Sequence, residues 1–126
     1  MKKEKKFVIG VDGGGTKTVA VLANLEAKIL RIGKSSSSHL RNLGIKVAVN
    51  NLAKAIKKVL PKKGEILSTF IGLPAIAEEY KLKIKKIEKE LKKHKEISKI
   101  FKGKVIIDSD QKVAFRAIVK GDGVMV

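Results

Sequence analysis

The sequence predicts an α/β domain that opens with three antiparallel strands in a meander and continues with alternating helices and parallel strands. Residues 7–32 contain short runs rich in Val, Ile and Thr, separated by turn residues, a pattern that is typical of consecutive strands. Residues 43–60 and 80–101 carry apolar residues at helical spacing. Residues 66–73 and 104–108 are short apolar runs that each follow one of these helices. They indicate buried strands joined in parallel by helical crossovers.

The first two predicted strands enclose a run of three glycines. The strands are residues 7–11 and 16–23, and Gly13, Gly14 and Gly15 form the tight turn between them. Three successive glycines allow positive φ angles and leave backbone N–H groups uncovered by side chains. Such N–H groups form a concavity that binds anions. The sequence therefore predicts a hairpin that binds phosphate.

Polar residues on both sides of the glycines fit the same interpretation. Thr16 and Thr18 add hydroxyl groups, and Lys17 adds a positive charge. Asp12, at the end of the first strand, is the carboxylate close enough to hold a divalent metal ion beside a bound phosphate. A dinucleotide-binding turn would be followed by a helix, whereas residues 16–21 are strand-like, so that alternative is set aside.

The other elements follow from periodicity and from turn residues. The polar run 33–39 predicts a flexible loop. The helix at 43–60 ends at Pro61. In residues 80–101 an apolar stripe is surrounded by lysines, which predicts one amphipathic helix. The remaining predicted elements are a third strand at residues 28–32, a helix at 111–120 and the start of a strand at 124–126.

Two aspartates follow the last complete strand. Asp108 and Asp110 lie where an apolar strand meets a predicted helix, and ligands normally bind at this end of an α/β sheet. Either residue also suits the cap of that helix, because its carboxylate accepts hydrogen bonds from free N–H groups. The residue pattern leaves both roles open.

The residues VDGGGTKT resemble the first phosphate loop of the superfamily that joins sugar kinases, heat-shock chaperone ATPases and actin. Within it, the chain is most similar to N-acetylglucosamine kinases and to the BadF/BadG/BcrA/BcrD ATPase family. The order of the later elements also fits. The resemblance implies a ribonuclease H-like domain, one half of an actin-like ATPase fold. Residues 1–126 would form its N-terminal domain, ending before the second phosphate loop and the C-terminal domain of such proteins.

The resemblance also implies roles for individual residues. ATP phosphates would bind at Gly13, Gly14, Gly15, Thr16 and Lys17, and Mg²⁺ would bind at Asp12 through water. Asp110 matches the position of the kinase general base better than Asp108 does. The loop where the family carries sugar-contacting residues is longer here, and its candidates are Ser38, His39 and Asn42.

The function that the resemblance implies is phosphoryl transfer from ATP to the hydroxyl of a sugar such as N-acetylglucosamine or another hexosamine. One alternative is a BadF-type ATPase that couples hydrolysis to a partner protein. Activators in that branch carry cysteines for an iron–sulfur cluster, and this sequence has none. The lack of cysteine also excludes disulfides and thiolate metal sites within the chain. A homodimer is an open alternative for the assembly.

The net charge is +17, from 29 Lys and Arg against 12 Asp and Glu, so nucleic acid has to be considered as a partner. Only three of the basic residues are arginine, and aromatic residues make up 4% of the chain. Base readout favours arginine and single-strand binding favours stacked aromatics, so a basic nucleic-acid-binding module is the weaker alternative. Lysine-rich composition with few Asn, Gln and Cys is instead typical of thermophiles. With no signal peptide or membrane-spanning run, the sequence predicts a cytoplasmic protein.

Overall fold

The computed structural model describes residues 5–73 and 80–108. Its strands are β1 (Lys6–Gly13), β2 (Lys17–Asn24), β3 (Ile29–Ser36), β4 (Glu65–Gly72) and β5 (Lys104–Asp108). Its helices are α1 (Leu40–Leu43), α2 (Ile45–Val59) and α3 (Tyr80–Lys92), and a 3₁₀ helix spans Ser98–Lys102. The predicted helix at 111–120 and the strand from 124 lie outside the described residues.

The five strands form one mixed sheet in the order β3-β2-β1-β4-β5. β1 pairs antiparallel with β2 and β2 pairs antiparallel with β3, which gives the predicted meander. β4 is parallel to β1, and β5 is parallel to β4, because a helix crosses over before each of them. This topology confirms the ribonuclease H-like fold, with β1 at the centre of the sheet.

Helices α2 and α3 share one apolar core with a single face of the sheet. On β1 this face carries Ile9 and Val11, which are fully buried. Helix α2 comes unusually close to β3, since a Cβ atom on Gly33 would lie 2.7 Å from the Cβ atom of Lys58. Only glycine fits at that crossing. Burial of the apolar face of α2 against the sheet, rather than helix propensity, stabilises this helix.

Helix α3 confirms the predicted amphipathic pattern from residue 83 onward, where its side chains are described. Ile87 and Leu91 are fully buried, whereas Lys85, Lys86 and Lys89 are exposed to solvent. The prediction of one helix as far as residue 101 is wrong, because α3 ends at Lys92 and the chain turns into the 3₁₀ helix.

The break in this helix has a packing reason. Ile97 and Ile100 are buried after the turn, so the chain still covers the core without helical spacing. Gly103 then passes against the backbone of β4, where a Cβ atom would collide with the carbonyl oxygens of Ile66 and Leu67. The chain must leave the helix early in order to reach the sheet at that point.

The predicted flexible loop at 33–39 is also partly wrong, because β3 continues to Ser36. Its polar end pairs with β2 in the register Thr18↔Ser35 and Lys17↔Ser36. Polar residues are tolerated here because β3 is an edge strand with one side open. In the part of the chain that the structure describes, no helix combines the length and the apolar character needed to cross a bilayer.

Candidate functional site

The glycine turn joins β1 to β2 at the carboxyl end of β1. The N–H group of Gly14 donates a hydrogen bond to the carbonyl oxygen of Lys17, at 2.9 Å. The turn does not use the positive φ angles that glycine allows, because the positive angles of the described residues fall at Ala27, Gly44 and Gly64.

The glycines are required for space. A Cβ atom on Gly13 would lie 2.5 Å from Cδ2 of Leu73 and 2.6 Å from Oγ of Ser38. Gly13 therefore marks a close contact between the turn and two buried side chains. A Cβ atom on Gly14 would lie 2.8 Å from the carbonyl oxygen of Lys17, so the turn itself leaves no room there.

The tip of the turn points into solvent. Gly15, Thr16 and Lys17 are exposed. Within the described residues, the N–H groups of Gly15 and Thr16 take part in no hydrogen bond of the turns and loops. Two backbone donors and the ammonium group of Lys17 thus lie together at this tip. That is the donor set of an anion site formed by successive N–H groups.

Asp12 lies one residue before the turn, on the sheet face opposite to α2 and α3, because Val11 points into their core and side chains alternate along a strand. Its Oδ1 atom is buried and accepts no hydrogen bond within the described residues. Burial raises the pKa of Asp12 above its ordinary value, and the positive charge of Lys17 partly opposes this rise. A buried carboxylate oxygen without a donor is suited to bind a cation or its water ligand.

A row of residues connects Asp12 to the end of β5. Asp12 is paired with Gly72 on β4, and Gly72 is paired with Asp108 on β5. Residues paired across a sheet share a face, so the two aspartates lie on the same face, about 10 Å apart over two strand spacings. Gly72 puts no side chain between them. The parallel strands therefore bring Asp108 to the same end of the sheet as the glycine turn.

The remaining site residues are placed differently. Asp110 lies outside the described residues, and so does the side chain of Asn42, whose backbone belongs to α1. His39 is half-buried and its ring lies below the turn, with Cδ2 3.9 Å from the position of a Cβ atom on Gly15. Ser38 is fully buried. The contact of these residues with a sugar, and the role of Asp110 as base, stay predictions.

Buried hydroxyl groups lie behind the turn. The Oγ1 atom of Thr18, which was expected to add a hydroxyl group to the anion site, is fully buried and contacts Oγ of Ser38 at 2.7 Å and the carbonyl oxygen of Ser36 at 2.8 Å. Nδ2 of Asn51 on α2 donates to the carbonyl oxygen of Ser37 at 2.6 Å.

Sequence reasoning missed Ser37 and Asn51. For Asn51 a signal existed, since a polar residue next to Leu52 on the apolar face of α2 must find a buried partner.

Residues 5–73 and 80–108 contain no group of three or more His, Asp or Glu side chains arranged to hold a metal ion. Asp12 by itself fits Mg²⁺, which commonly takes one or two carboxylates and completes its shell with water and substrate phosphates.

Comparison with solved structures finds weak overall similarity to sugar kinases. A xylulose kinase from Lactobacillus acidophilus matches at 19% identity with a TM-score of 0.43, over 55% of this chain and 16% of the kinase chain. A gluconate kinase from the same organism matches at 19% identity with a TM-score of 0.44, over 56% of this chain and 16% of the kinase chain. A ROK family glucokinase from Streptomyces griseus, in complex with glucose and AMPPNP, matches at 16% identity with a TM-score of 0.46. The match covers 80% of this chain and 32% of the glucokinase chain.

The chain thus spans less than a third of the length of each of these structures. No curated protein gave a significant match. A family profile gives the decisive result, since it matches residues 9–126 and therefore includes the glycine turn, Asp12 and all five strands beyond the first few residues of β1. This chain belongs to the BadF/BadG/BcrA/BcrD ATPase family.

Proposed function

We propose that this chain is the half of an ATP-dependent sugar kinase that binds the nucleotide phosphates. The observation that carries the proposal is the glycine turn, where the N–H groups of Gly15 and Thr16 and the charge of Lys17 lie next to the buried oxygen of Asp12. Phosphoryl transfer depends mainly on positioning and on charge stabilisation, and both are available there. The acceptor we propose is N-acetylglucosamine or a related hexosamine.

Each part of the turn has a defined task in this proposal. The backbone from Gly13 to Thr16, with Lys17, holds the β- and γ-phosphates. Asp12 would hold Mg²⁺ through a water ligand, and its buried Oδ1 atom, which has no hydrogen-bond partner within the described residues, would be the acceptor for that water. Bound Mg²⁺ supplies neutralisation of the phosphate charge.

The acceptor sugar would lie at the same end of the sheet, beside the carboxyl ends of β1, β4 and β5. Asp110 accepts the proton of the attacking sugar hydroxyl, and His39 and Asn42 orient the sugar. The support for this arrangement is that Asp108, two positions before Asp110, ends β5 beside Gly72 and on the same face as Asp12. We also propose that the adenosine pocket and the second phosphate loop belong to a C-terminal domain, so that the active site forms between two domains.

A second candidate function is an ATPase that couples hydrolysis to a partner protein. The observation that favours it is the family itself, which is described as an ATPase family. The same turn and the same aspartate would bind the nucleotide, and water would replace the sugar hydroxyl as nucleophile. A phosphorylation assay and a hydrolysis assay on the same preparation separate the two functions.

The test uses the complete protein that contains this chain, with ATP, Mg²⁺ and a panel of hexosamines and hexoses. Asp110→Asn is expected to leave ATP binding intact and to lower kcat by roughly two to four orders of magnitude, the usual contribution of a positioned general base. Asp108→Asn is the matched control, because it removes the neighbouring carboxylate, and it should retain most activity.

Loss of activity in Asp108→Asn with normal Asp110→Asn would assign the base to Asp108. A wild-type protein that phosphorylates no sugar of the panel would overturn the kinase proposal. ATP hydrolysis that needs no sugar but rises with a partner protein would support the second candidate.

A further inference from the structure

We propose that Ser37 and Ser38, here called the serine clasp, are positioning residues that hold the glycine turn in the geometry that binds phosphate. The identity of the ligand rests on the proposed function, but the mechanical claim does not. The clasp lies directly after β3 and twenty or more positions from the turn in the sequence. It contacts the turn through backbone and side-chain groups.

The first contact is at Gly14. Its carbonyl oxygen accepts one hydrogen bond from the N–H group of Ser38 and another from the hydroxyl group of Ser37, both at 3.2 Å. Its N–H group is bound to Lys17 within the turn. Both polar groups of the Gly14 backbone are therefore fixed, while the exposed tip beyond it at Gly15 and Thr16 carries the unused donors.

The second contact is the buried hydroxyl pair. Oγ of Ser38 lies 2.7 Å from Oγ1 of Thr18, the first buried residue after the turn. A hydroxyl group has one proton, so both contacts of Thr18 are satisfied when it donates to the carbonyl of Ser36 and accepts from Ser38. Ser38 has no exposed surface in this structure, so the positioning effect inferred for it acts through the turn. Its Oγ atom also fills the space that a side chain on Gly13 would need.

The clasp is in turn fixed to a rigid element. Asn51, in the middle of α2, donates from Nδ2 to the carbonyl oxygen of Ser37 at 2.6 Å. Ser35 donates from Oγ to the backbone carbonyl of Asn51 at 2.5 Å. A turn supported by a packed helix keeps its geometry better than a turn on a free loop. The path from α2 to the phosphate turn is thus two hydrogen bonds long.

The clasp also connects the two sides of the proposed active site. The N–H group of His39 donates to Oγ of Ser37 at 3.2 Å, the same oxygen that donates to Gly14. His39 is a proposed sugar contact, and Gly14 belongs to the proposed phosphate contact. A shift of the sugar-side segment is therefore transmitted to the phosphate turn through Ser37.

The experiment compares four variants of the 126-residue chain by ¹⁵N-resolved NMR. Ser38→Ala and Thr18→Val break the buried hydroxyl pair and keep the packing volume close to native. Thr18→Ser retains the hydroxyl group and is the rescue variant. Ser36→Ala is the matched control, because it removes an exposed serine hydroxyl two positions before Ser38, at the end of β3.

The first readout needs no ligand and measures hydrogen exchange at the Gly14 amide. Leaving one member of a buried hydroxyl pair unpaired is expected to raise this exchange about tenfold in Ser38→Ala and Thr18→Val. Amides of the core strands, such as those of Ile9 and Leu22, should stay within about twofold of the wild type. Thr18→Ser and Ser36→Ala should resemble the wild type.

The second readout is a titration with inorganic triphosphate and with ATP, each with Mg²⁺. The two clasp-breaking variants should bind both probes about five- to tenfold more weakly than the wild type. A fifth variant that combines both substitutions should bind no more weakly than Thr18→Val alone, since Thr18→Val already removes the contact with Ser38.

If the wild type binds the probes and Ser38→Ala binds them with the same affinity, the inference is overturned and the proposed function stands. A uniform rise of exchange across the core would show a merely structural role and would also overturn it. If the wild type binds neither probe at the turn, the proposed function fails, and the exchange at Gly14 alone decides the positioning role. Faster exchange at Gly14, with unchanged exchange in the core strands, would then support the positioning role, and unchanged exchange at Gly14 would refute it.

Discussion

The two hairpin turns at the ends of β2 reverse the chain by different means. The turn between β2 and β3 is self-contained. Oδ1 of Asn24 accepts hydrogen bonds from the N–H groups of Glu26, at 3.0 Å, and Lys28, at 2.9 Å. The backbone of Asn24 is also bonded to Lys28 and to Ala27, and Ala27 adopts a φ angle of 63°. The side chain and the backbone of Asn24 thus satisfy the N–H groups of Glu26, Ala27 and Lys28 within the turn.

The turn between β1 and β2 is organised in the opposite way. Its tip leaves the N–H groups of Gly15 and Thr16 unused within the described residues, and its support comes from Ser37 and Ser38, which are distant in sequence. A turn that only reverses the chain uses its donors locally, since unpaired backbone groups cost free energy. A turn that binds an anion keeps its donors available and therefore needs external support. This difference supports the proposal that the glycine turn is the one that binds a ligand, and the support does not depend on any motif.

The largest effect that would test this comparison is expected from Gly13→Ala. The added Cβ atom would displace Leu73 and Ser38, which are both buried, and moving Ser38 would break its contact with Thr18. Overpacking of this kind is expected to lower the free energy of unfolding by about 1–3 kcal/mol. Urea denaturation measures the loss. Gly15→Ala is the matched control, because its Cβ atom would meet only His39, at 3.9 Å, and equal losses in both variants would contradict the steric argument.

A smaller effect is expected at the other turn. Asn24→Ala removes the acceptor of two backbone donors on an exposed turn and should lower the free energy of unfolding by about 1 kcal/mol. Triphosphate binding at the glycine turn should not change, since the two turns lie at opposite ends of the sheet. Asn24→Asp retains an acceptor oxygen and serves as control. Weaker triphosphate binding in Asn24→Ala would show that the turns are not independent.

Much of the fold was predictable because its signals are local. The runs rich in Val, Ile and Thr in β1 and β2, the glycines between them and the apolar stripe of α2 lie within short windows of sequence. The length of β3 and the early end of α3 were not predictable in this way. Ser35 and Ser36 join the sheet only because β2 is already there, and Gly103 must be small because β4 passes against it.

The site was predictable to the extent that it is carried by the turn itself. The chain showed that Gly13 to Lys17 and Asp12 are neighbours, and parallel strands implied that the end of β5 shares their edge. The support of the turn was not predictable. The sequence predicts that the hydroxyl group of Thr18 binds the ligand, whereas in the structure it contacts Ser38, which lies 20 positions away in the sequence. Asn51 contacts Ser37 across 14 positions, and only the packing of α2 brings them together.

The smallest expected effect is a gain in the free energy of unfolding in Asp12→Asn. The same substitution is expected to weaken the binding of triphosphate with Mg²⁺. Burial raises the pKa of Asp12 above the ordinary value of 3.8, so the folded state holds this proton more tightly than the unfolded state. Between 3.8 and the raised pKa, the folded state binds more protons, and the free energy of unfolding therefore falls as the pH rises. At neutral pH the wild type carries the full desolvation cost of an ionised Asp12.

Asp12→Asn removes that cost and should stabilise the chain at pH 7 by roughly 0.5 kcal/mol or less, because partial exposure and Lys17 already offset part of it. The gain should shrink as the pH falls through the raised pKa and vanish below 3.8, where Asp12 is protonated in both states. Glu26→Gln, on the exposed turn, controls for the loss of one negative charge from a chain of net charge +17. Binding of triphosphate with Mg²⁺ should weaken in Asp12→Asn and not in Glu26→Gln. If Asp12→Asn is less stable than the wild type at pH 7, the buried oxygen has a partner that stabilises its charge, and Asp12 is then not held ready for a cation.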